Sequence, residues 1–153
     1  METRELKSTD LHELLELYSH LHDEDDPLPE DNIVEEVWQE IQNNYNFNYF
    51  GVFVDRNLIS SCTLSIVPNL TRGCRPYGVI ENVVTHRDYR RKGYASNLLK
   101  HALRYAWRKK CYKVMLLTGR KTEEIYSFYA SVGFDRYAKQ AFLAKPQKAE
   151  QPL

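Results

Sequence analysis

A buried strand, a short basic loop and a long amphipathic helix follow one another between residues 79 and 109, and this succession constrains the fold most. Residues 79–85 read Val-Ile-Glu-Asn-Val-Val-Thr, and the loop contains Arg90, Arg91, Lys92 and Gly93. In the helix, apolar residues recur at intervals of three and four, as on one buried face: Ala95, Leu98, Leu99, Ala102, Leu103, Ala106 and Trp107. The pattern predicts a strand that turns sharply into a helix.

The basic loop is suited to bind an anion. Backbone N–H groups and the positive end of the helix dipole would surround one small volume, which suits a pyrophosphate. Gly93 has no Cβ and therefore lets the backbone approach a ligand closely. In the alternative interpretation, Gly93 only turns the chain, and Arg90, Arg91 and Lys92 are solvated charges.

Two motifs connect this chain with a known family. Arg90, Gly93 and Ala95 match the pattern Arg/Gln-x-x-Gly-x-Gly/Ala, in a loop between a strand and a helix. Residues 127–134 (Ser-Phe-Tyr-Ala-Ser-Val-Gly-Phe) match a later Phe-Tyr…Gly-Phe signature. In this order and spacing, the two motifs resemble those of the GNAT N-acetyltransferase superfamily, whose members use acetyl-CoA.

Short apolar runs and helical periodicities predict an α/β (α+β) fold. The predicted order β-α-α-β-β-β-α-β-α-β gives a mixed sheet of about six to seven strands flanked by helices, in agreement with a single GNAT-like domain. The predicted elements are a first strand near Leu6, a helix capped by Asp10 and Glu13, a helix over 33–41, strands over 50–54, 58–67 and 77–85, a helix over 94–109, a strand over 112–118, a helix over 123–132 that ends at Gly133, and a final strand or two after Phe134.

Length and composition favour one globular domain. The 153 residues suffice for a core of their own, and we expect the acetyltransferase domain over residues 1–146 and a flexible tail over 147–153. No apolar run is long enough to span a membrane, and the first residues do not read as a signal peptide. The three cysteines form no CxxC pair, which favours reduced thiols and a cytoplasmic location.

The charges are distributed unevenly, although the formal net charge is zero. Residues 1–45 hold 14 acidic and 2 basic side chains, whereas residues 46–153 hold 7 and 19. A polyanionic cofactor would favour the basic part and a cationic substrate the acidic part; alternatively, both are solvated surfaces that partly neutralise each other. We interpret the acids of residues 23–26 as a rim that admits a cationic amine.

Two other partners are not expected. The basic part carries no nucleic-acid-binding motif, so no nucleic acid is predicted. His20 and His22 lie beside the four acids of residues 23–26, but their spacing matches no compact metal site. We therefore expect no metal.

The resemblance to the GNAT superfamily implies where acetyl-CoA binds. The backbone N–H groups of residues 91–96 would hold the pyrophosphate, and two basic side chains would add positive charge. The end of the preceding strand would offer hydrogen bonds to the pantetheine arm, because the two central strands splay apart there in the GNAT fold. The expected cofactor-binding residues are Val83, Val84, Thr85, Arg90, Arg91, Lys92, Gly93, Tyr94, Ala95 and Ser96.

Glu81 is the candidate general base, because it is the only acid on an otherwise apolar strand. An alkylammonium group with a pKa of ~10.4 must lose a proton before it can attack a thioester. Alternatively, Glu81 faces solvent at a strand end or pairs with a neighbouring arginine. A backbone N–H of Val83 or Val84 would stabilise the oxyanion.

The resemblance assigns Tyr129 as the acid that protonates the leaving thiolate. In the alternative interpretation, Tyr129 belongs to a core-facing stripe with Ile125, Phe128 and Val132. Ile125 also stands where many relatives have an asparagine that contacts the cofactor, so that contact is not carried over.

Together these features predict an acetyl-CoA-dependent N-acetyltransferase. The expected acceptor is the primary amine of a small molecule, an aminosugar or another cationic amine, which attacks directly in a ternary complex. The alternatives are a non-catalytic acetyl-CoA-binding regulatory module and a protein or peptide N-acetyltransferase. The resemblance also allows a homodimer, since dimers are common in the family.

Overall fold

Five strands form one mixed sheet in residues 1–146, the part of the chain that the computed structural model describes. The strands are β1 (Glu2–Glu5), β2 (Phe47–Val54), β3 (Asn57–Val67), β4 (Tyr77–Thr85) and β5 (Val114–Leu116). They lie in chain order across the sheet, and all neighbours are antiparallel except β4 and β5, which are parallel. The predicted mixed sheet is confirmed.

The sheet has fewer strands than the sequence predicts. Residues 135–146 contain no strand, so the one or two strands expected after Phe134 are absent from the described chain. Phe142 and Leu143 are exposed there, and the segment therefore lacks the buried face that a strand needs. The tail predicted over residues 147–153 lies outside the described residues.

Five helices accompany the sheet in the described chain: α1 (Leu11–Tyr18), α2 (Asp31–Asn43), the one-turn α3 (Thr71–Cys74), α4 (Tyr94–Arg108) and α5 (Glu123–Val132). None of these helices is both long and apolar enough to cross a bilayer. The chain divides into two compact units, Met1–Thr118 with the whole sheet and α1 to α4, and a smaller one from Gly119 onward with α5.

Helices cover the sheet of the first unit on both faces. On one face, the ring of Phe50 in β2 lies 5.0 Å from His101 and 5.2 Å from Tyr105, both in α4. On the other face, Trp38 of α2 meets Tyr49 edge-on at 5.4 Å. Four side chains of the predicted buried face of α4 have no exposed surface: Leu98, Leu99, Ala102 and Ala106. Trp107, which the pattern placed on the same face, is 49% exposed near the end of the helix, so its predicted burial is wrong.

A two-residue turn joins β2 and β3. Asp55 and Arg56 both have positive φ angles, of 50° and 70°, which is the backbone twist that favours a tight hairpin. Glu13 of α1 accepts a hydrogen bond from the N–H of Leu58 at 3.1 Å. This contact ties α1 to the start of β3.

The predicted capping pair of Asp10 and Glu13 is wrong. The Asp10 carboxylate makes no capping bond to α1; it binds the guanidinium of Arg4 through two contacts of 2.7 and 3.1 Å and accepts from the N–H of Lys7. A bidentate charged partner is stronger than a neutral backbone donor. Arg4 accordingly holds the pKa of Asp10 below its usual range.

Some element boundaries also differ from the prediction. The first strand comes before Leu6, at Glu2–Glu5, and β2 begins at Phe47 instead of residue 50. The strand predicted over 112–118 is confined to Val114–Leu116. The bounds predicted for β4 and α5 agree with the structure.

Candidate active site

The edge of β4 that faces β5 is only partly paired. The parallel ladder runs from Gly78 opposite Val114 to Ile80 opposite Leu116 and then stops. From Glu81 onward, β4 has no ladder partner on that side in the described chain. Because backbone N–H and C=O groups need partners, this open edge can bind an extended ligand by strand-like hydrogen bonds.

A bulge lies at the start of the open edge. Thr63 of β3 is opposite Glu81 and Ser61 is opposite Val84, so only one residue of β3 faces the two β4 residues in between. One of these two, Asn82, has a φ of 51°, which is unusual for a residue other than glycine. Such a bulge bends the strand and re-aims its peptide groups, a recurrent arrangement beside active sites.

Glu81 is an exposed residue at this bulge. Its backbone oxygen accepts from the Thr63 hydroxyl at 3.1 Å, which fixes the main chain beneath the carboxylate. No arginine or lysine within residues 1–146 forms an ion pair with it. Of the two alternatives for Glu81, the structure therefore shows exposure to solvent and no ion pair in the described residues.

The start of α4 presents unpaired backbone donors. The N–H of Asn97 bonds the carbonyl of Gly93 at 3.0 Å, but the N–H groups of Tyr94, Ala95 and Ser96 have no acceptor in the described residues. Gly93 itself has a φ of 82°, and no atom lies within 4 Å of the place that a Cβ would occupy. The first turn of α4 is thus open, positive and unobstructed.

The cations of the loop make contacts within the protein. Arg90 donates from Nε to the carbonyl of Thr85 at 3.2 Å and from Nη2 to that of His20 at 3.0 Å. Lys92 donates to the carbonyl of Asp88 at 2.9 Å. Both cations therefore shape the loop, besides any charge that they offer to a ligand.

Three contacts join the loop region to the segment after α1, a connection that the sequence did not predict. Besides the bond of Arg90 to the His20 carbonyl, the rings of His20 and His86 lie 4.2 Å apart, and Arg87 pairs with Asp23 at 3.9 Å. Burial and the neighbouring positive groups lower the pKa of His20. Neither histidine belongs to a group of three metal-ligating side chains in residues 1–146.

Tyr18 is a further residue near the bulge that the sequence did not single out. Its hydroxyl is buried without a hydrogen-bond partner in the described chain. Burial raises the pKa of this phenol, and Asn82 at the bulge opposes part of that rise. No local sequence pattern predicts that the Tyr18 hydroxyl is buried near the bulge, because Tyr18 fits the pattern only as one of the apolar residues of α1.

Tyr129 lies on α5, in the smaller unit. The Thr122 hydroxyl accepts from the N–H of Ile125 at the start of this helix, and Gly133 with a φ of 111° ends it, as the sequence predicts. The half-buried Tyr129 ring lies 5.0 Å from Phe128 and 6.2 Å from Phe134. These contacts agree with the apolar stripe and leave the catalytic assignment a prediction.

Comparisons with known proteins agree with this arrangement. The model of the acetyltransferase (GNAT) family matches residues 10–134. A glucosamine 6-phosphate N-acetyltransferase of Trypanosoma brucei brucei is 31% identical over 140 residues, which is 92% of each chain. A structure from Agrobacterium tumefaciens str. C58, provisionally described as an acetyltransferase, is 37% identical, with a TM-score of 0.89 over 95% of this chain and 100% of that one.

A more distant neighbour shares the fold alone. AAC(6')-Iy, solved with the bisubstrate analogue CoA-S-monomethyl-acetylneamine, is 20% identical, with a TM-score of 0.76 over 95% of this chain and 98% of that one. The family match covers most of the chain, and the two nearer relatives each span almost all of it. The chain therefore belongs to the GNAT acetyltransferase family and is an acyltransferase.

Proposed function

We propose that residues 1–146 act as one domain that transfers the acetyl group of acetyl-CoA to the primary amine of a small molecule. The acceptor class is an aminosugar or another cationic amine, and the amine attacks directly in a ternary complex. The proposal is carried by one observation: the open edge of β4 is followed in the chain by the open first turn of α4. When bound, the thioester supplies an activated acetyl group.

The free backbone groups fit a diphosphate followed by an extended arm. Three unpaired N–H groups behind a glycine in the left-handed region form a cradle for an anion at Tyr94, Ala95 and Ser96. Arg91 has a φ of 61°, so the backbone around it curves in the same way. The edge of Val83, Val84 and Thr85 would hold the arm.

Two hydrogen bonds of the Ser60 side chain hold that edge in place from the other side. The Ser60 hydroxyl donates to the carbonyl of Val84 at 2.9 Å and contacts the Thr85 hydroxyl at 2.8 Å. A rigid edge loses little freedom when a ligand binds to it. Ser60 thereby supports the backbone that would orient the thioester and offer an N–H to its oxygen.

Proton transfer is assigned to two side chains. Glu81, exposed at the bulge, would accept a proton from the attacking ammonium directly or through water. Tyr129 would protonate the departing thiolate. The two roles need a proton acceptor and a proton donor, which a carboxylate and a phenol can supply.

The proposal is tested by measuring free CoA release with a panel of amines. The panel contains amino acids, aminosugars, polyamines and short peptides, each titrated at several acetyl-CoA concentrations. We expect saturable release with one small amine and intersecting reciprocal plots, as for a ternary complex. Turnover of peptides only, or CoA binding without turnover of any amine, would contradict the acceptor class.

A further inference from the structure

Three cations gather where β4 and β5 begin, away from the elements assigned to the cofactor. The guanidinium carbons of Arg72 and Arg75 each lie 5.9 Å from the ring centre of Tyr112. The ammonium of Lys113 lies 5.4 Å from the rings of Tyr112 and Tyr77. In the described chain, no carboxylate forms a salt bridge with any of the three.

Such a cluster favours the binding of an anion. Like charges held close together repel one another, and contacts with two aromatic rings offset this only in part. Two guanidinium groups and an ammonium are the donors that proteins use to bind phosphoryl groups, because their N–H groups match the phosphate oxygens. An anionic group on a substrate of the proposed reaction would meet these donors.

The short segment formed by α3 and Arg75, which carries the two arginines, is held in a defined shape. Arg72, Gly73 and Cys74 all have positive φ angles, of 56°, 69° and 58°. The Asn69 amide donates to the carbonyl of Arg75 at 3.2 Å, and Arg75 donates through Nε to the carbonyl of Arg72 at 3.1 Å. Unusual backbone angles persist only where surrounding contacts enforce them, so the arginines project from a prearranged loop.

The cluster lies on the same face of the sheet as Glu81. Alternate residues of a strand share a face, so Tyr77, Val79 and Glu81 lie in one row along β4. Lys113 contacts the ring of Tyr77 and thus lies on this face too. At a rise of about 3.3 Å per residue, the Cα atoms of Tyr77 and Glu81 are roughly 13 Å apart, a gap that the long cationic side chains shorten.

We infer that Arg72, Arg75 and Lys113 form a subsite for a phosphoryl group on the acceptor, so that the substrate is a phosphorylated amine. This inference rests on the proposed function, with Glu81 as the base that receives the amine end. The row of half-buried side chains between the two ends, Val79 and its β5 neighbour Met115, forms the floor under the body of the substrate.

The first test compares glucosamine 6-phosphate with glucosamine as acceptors. We expect kcat/KM to be at least about tenfold higher for the phosphorylated amine, since a charge-assisted contact contributes on this scale. The triple variant Arg72→Gln/Arg75→Gln/Lys113→Met should remove this preference through KM and leave glucosamine turnover unchanged. Equal kcat/KM values for both amines, or an equal loss for both in the variant, would overturn the inference.

A matched control removes three exposed cations elsewhere. Lys100→Met/Arg104→Gln/Arg108→Gln changes the net charge of the protein by the same amount on α4. It should keep the preference for the phosphorylated amine. If this control loses the preference to the same extent, the effect is one of overall charge and the subsite is refuted.

Two further measurements separate this inference from the proposed function. Calorimetric binding of glucosamine 6-phosphate to the CoA-saturated protein, weakened about tenfold or more in the triple variant, supports the subsite even without turnover. Absence of such binding overturns it, whether or not other amines are acetylated. A raised KM for acetyl-CoA but not for acetyl-dephospho-CoA would assign the cations to the cofactor and also overturn it.

Discussion

At the scale of residues, Glu81 shows how one side chain is made available for proton transfer. The neighbouring Thr63 hydroxyl fixes its main chain, and the bulge at Asn82 sets it at the end of the paired part of β4. No basic side chain in residues 1–146 neutralises its carboxylate. The position therefore combines a rigid backbone with a free charge.

Replacing the carboxylate should slow the reaction without disturbing the fold. We expect Glu81→Gln to lower kcat/KM by about 100-fold, the scale of general-base catalysis, because the amide cannot accept the ammonium proton. The rate of the variant should recover as the pH rises toward the pKa of the free amine. A pH–rate profile measures this, and a profile of unchanged shape would contradict the role.

Tyr129→Phe separates catalysis from packing. Because the phenyl ring keeps the contacts with Phe128 and Phe134, we expect kcat to fall by about 10- to 100-fold with little change in CoA affinity. Steady-state kinetics and calorimetric CoA titration give the two quantities. A parallel loss of affinity and rate would indicate that the hydroxyl serves the structure of α5 instead.

The Arg4–Asp10 pair gives a prediction about stability and pH. Arg4 lowers the pKa of Asp10, so the pair stabilises the folded state above the ordinary carboxyl pKa of ~3.9, and this contribution is lost as the pH falls through the lowered value. Asp10→Asn should reduce the free energy of unfolding at pH 7 by about 2 kcal/mol. Urea denaturation at pH 7 measures this.

Glu2 provides the control for that prediction. Its carboxylate lies 3.8 Å from Arg4 but is 67% exposed, and exposed pairs contribute little. Glu2→Gln should therefore change the stability by less than about 0.5 kcal/mol. Equal effects of the two substitutions would show that burial of Asp10 does not matter.

At the scale of elements, β4, the loop and α4 form one continuous unit that we propose binds an anion. Within residues 1–146, β4 leaves its outer half unpaired toward β5, and α4 leaves three N–H groups unpaired behind Gly93. Arg90 joins the unit to the segment after α1 through the His20 carbonyl. The unit therefore depends on local turn geometry and on the hydrogen bond between Arg90 and His20, which lie 70 residues apart in the sequence.

Gly93→Ala should weaken CoA binding through the backbone. A φ of 82° is costly for alanine, by about 1–2 kcal/mol, and relief of this strain moves the N–H groups of the first turn. We expect the Kd of CoA, measured by calorimetry, to rise about tenfold. Gly133→Ala, at a φ of 111° after α5, should destabilise the protein without changing this Kd.

At the scale of the whole molecule, opposite charges are kept apart along the chain. Most acids lie before residue 46 and most cations after it. The acidic segment after α1 reaches the basic loop through the pair of Asp23 and Arg87. A cationic amine and a polyanionic cofactor would thus each meet a region of opposite charge.

Neutralising the acidic segment should weaken the capture of a cationic acceptor. For Asp23→Asn/Glu24→Gln/Asp25→Asn/Asp26→Asn we expect KM for the amine to rise about tenfold at low ionic strength, with a smaller rise at high salt. The KM for acetyl-CoA should not rise. Steady-state kinetics at two salt concentrations test this, and an unchanged amine KM rejects the role of the segment.

Most of the elements and their order could be predicted from the sequence alone, because they depend on local periodicity; α3 was not predicted, and the strand or two expected after Phe134 were predicted wrongly. The alternation along β4, the apolar stripe of α4 and the glycine before it are encoded within a few residues of one another. The same holds for Gly133 after α5. For this reason, the loop that we propose to bind the cofactor could be identified from the sequence.

Only the tertiary structure determined which distant side chains meet. The bond of Asp10 to Arg4 in place of a helix cap, the hold of Arg90 on His20, and the gathering of Arg72, Arg75 and Lys113 on one ring all join separate segments. No periodic pattern in the sequence predicts such pairs, because the packing of strands and helices determines which side chains meet. The sequence alone thus predicted the loop that we propose to bind an anion, and packing determined which cations gather at the proposed acceptor subsite.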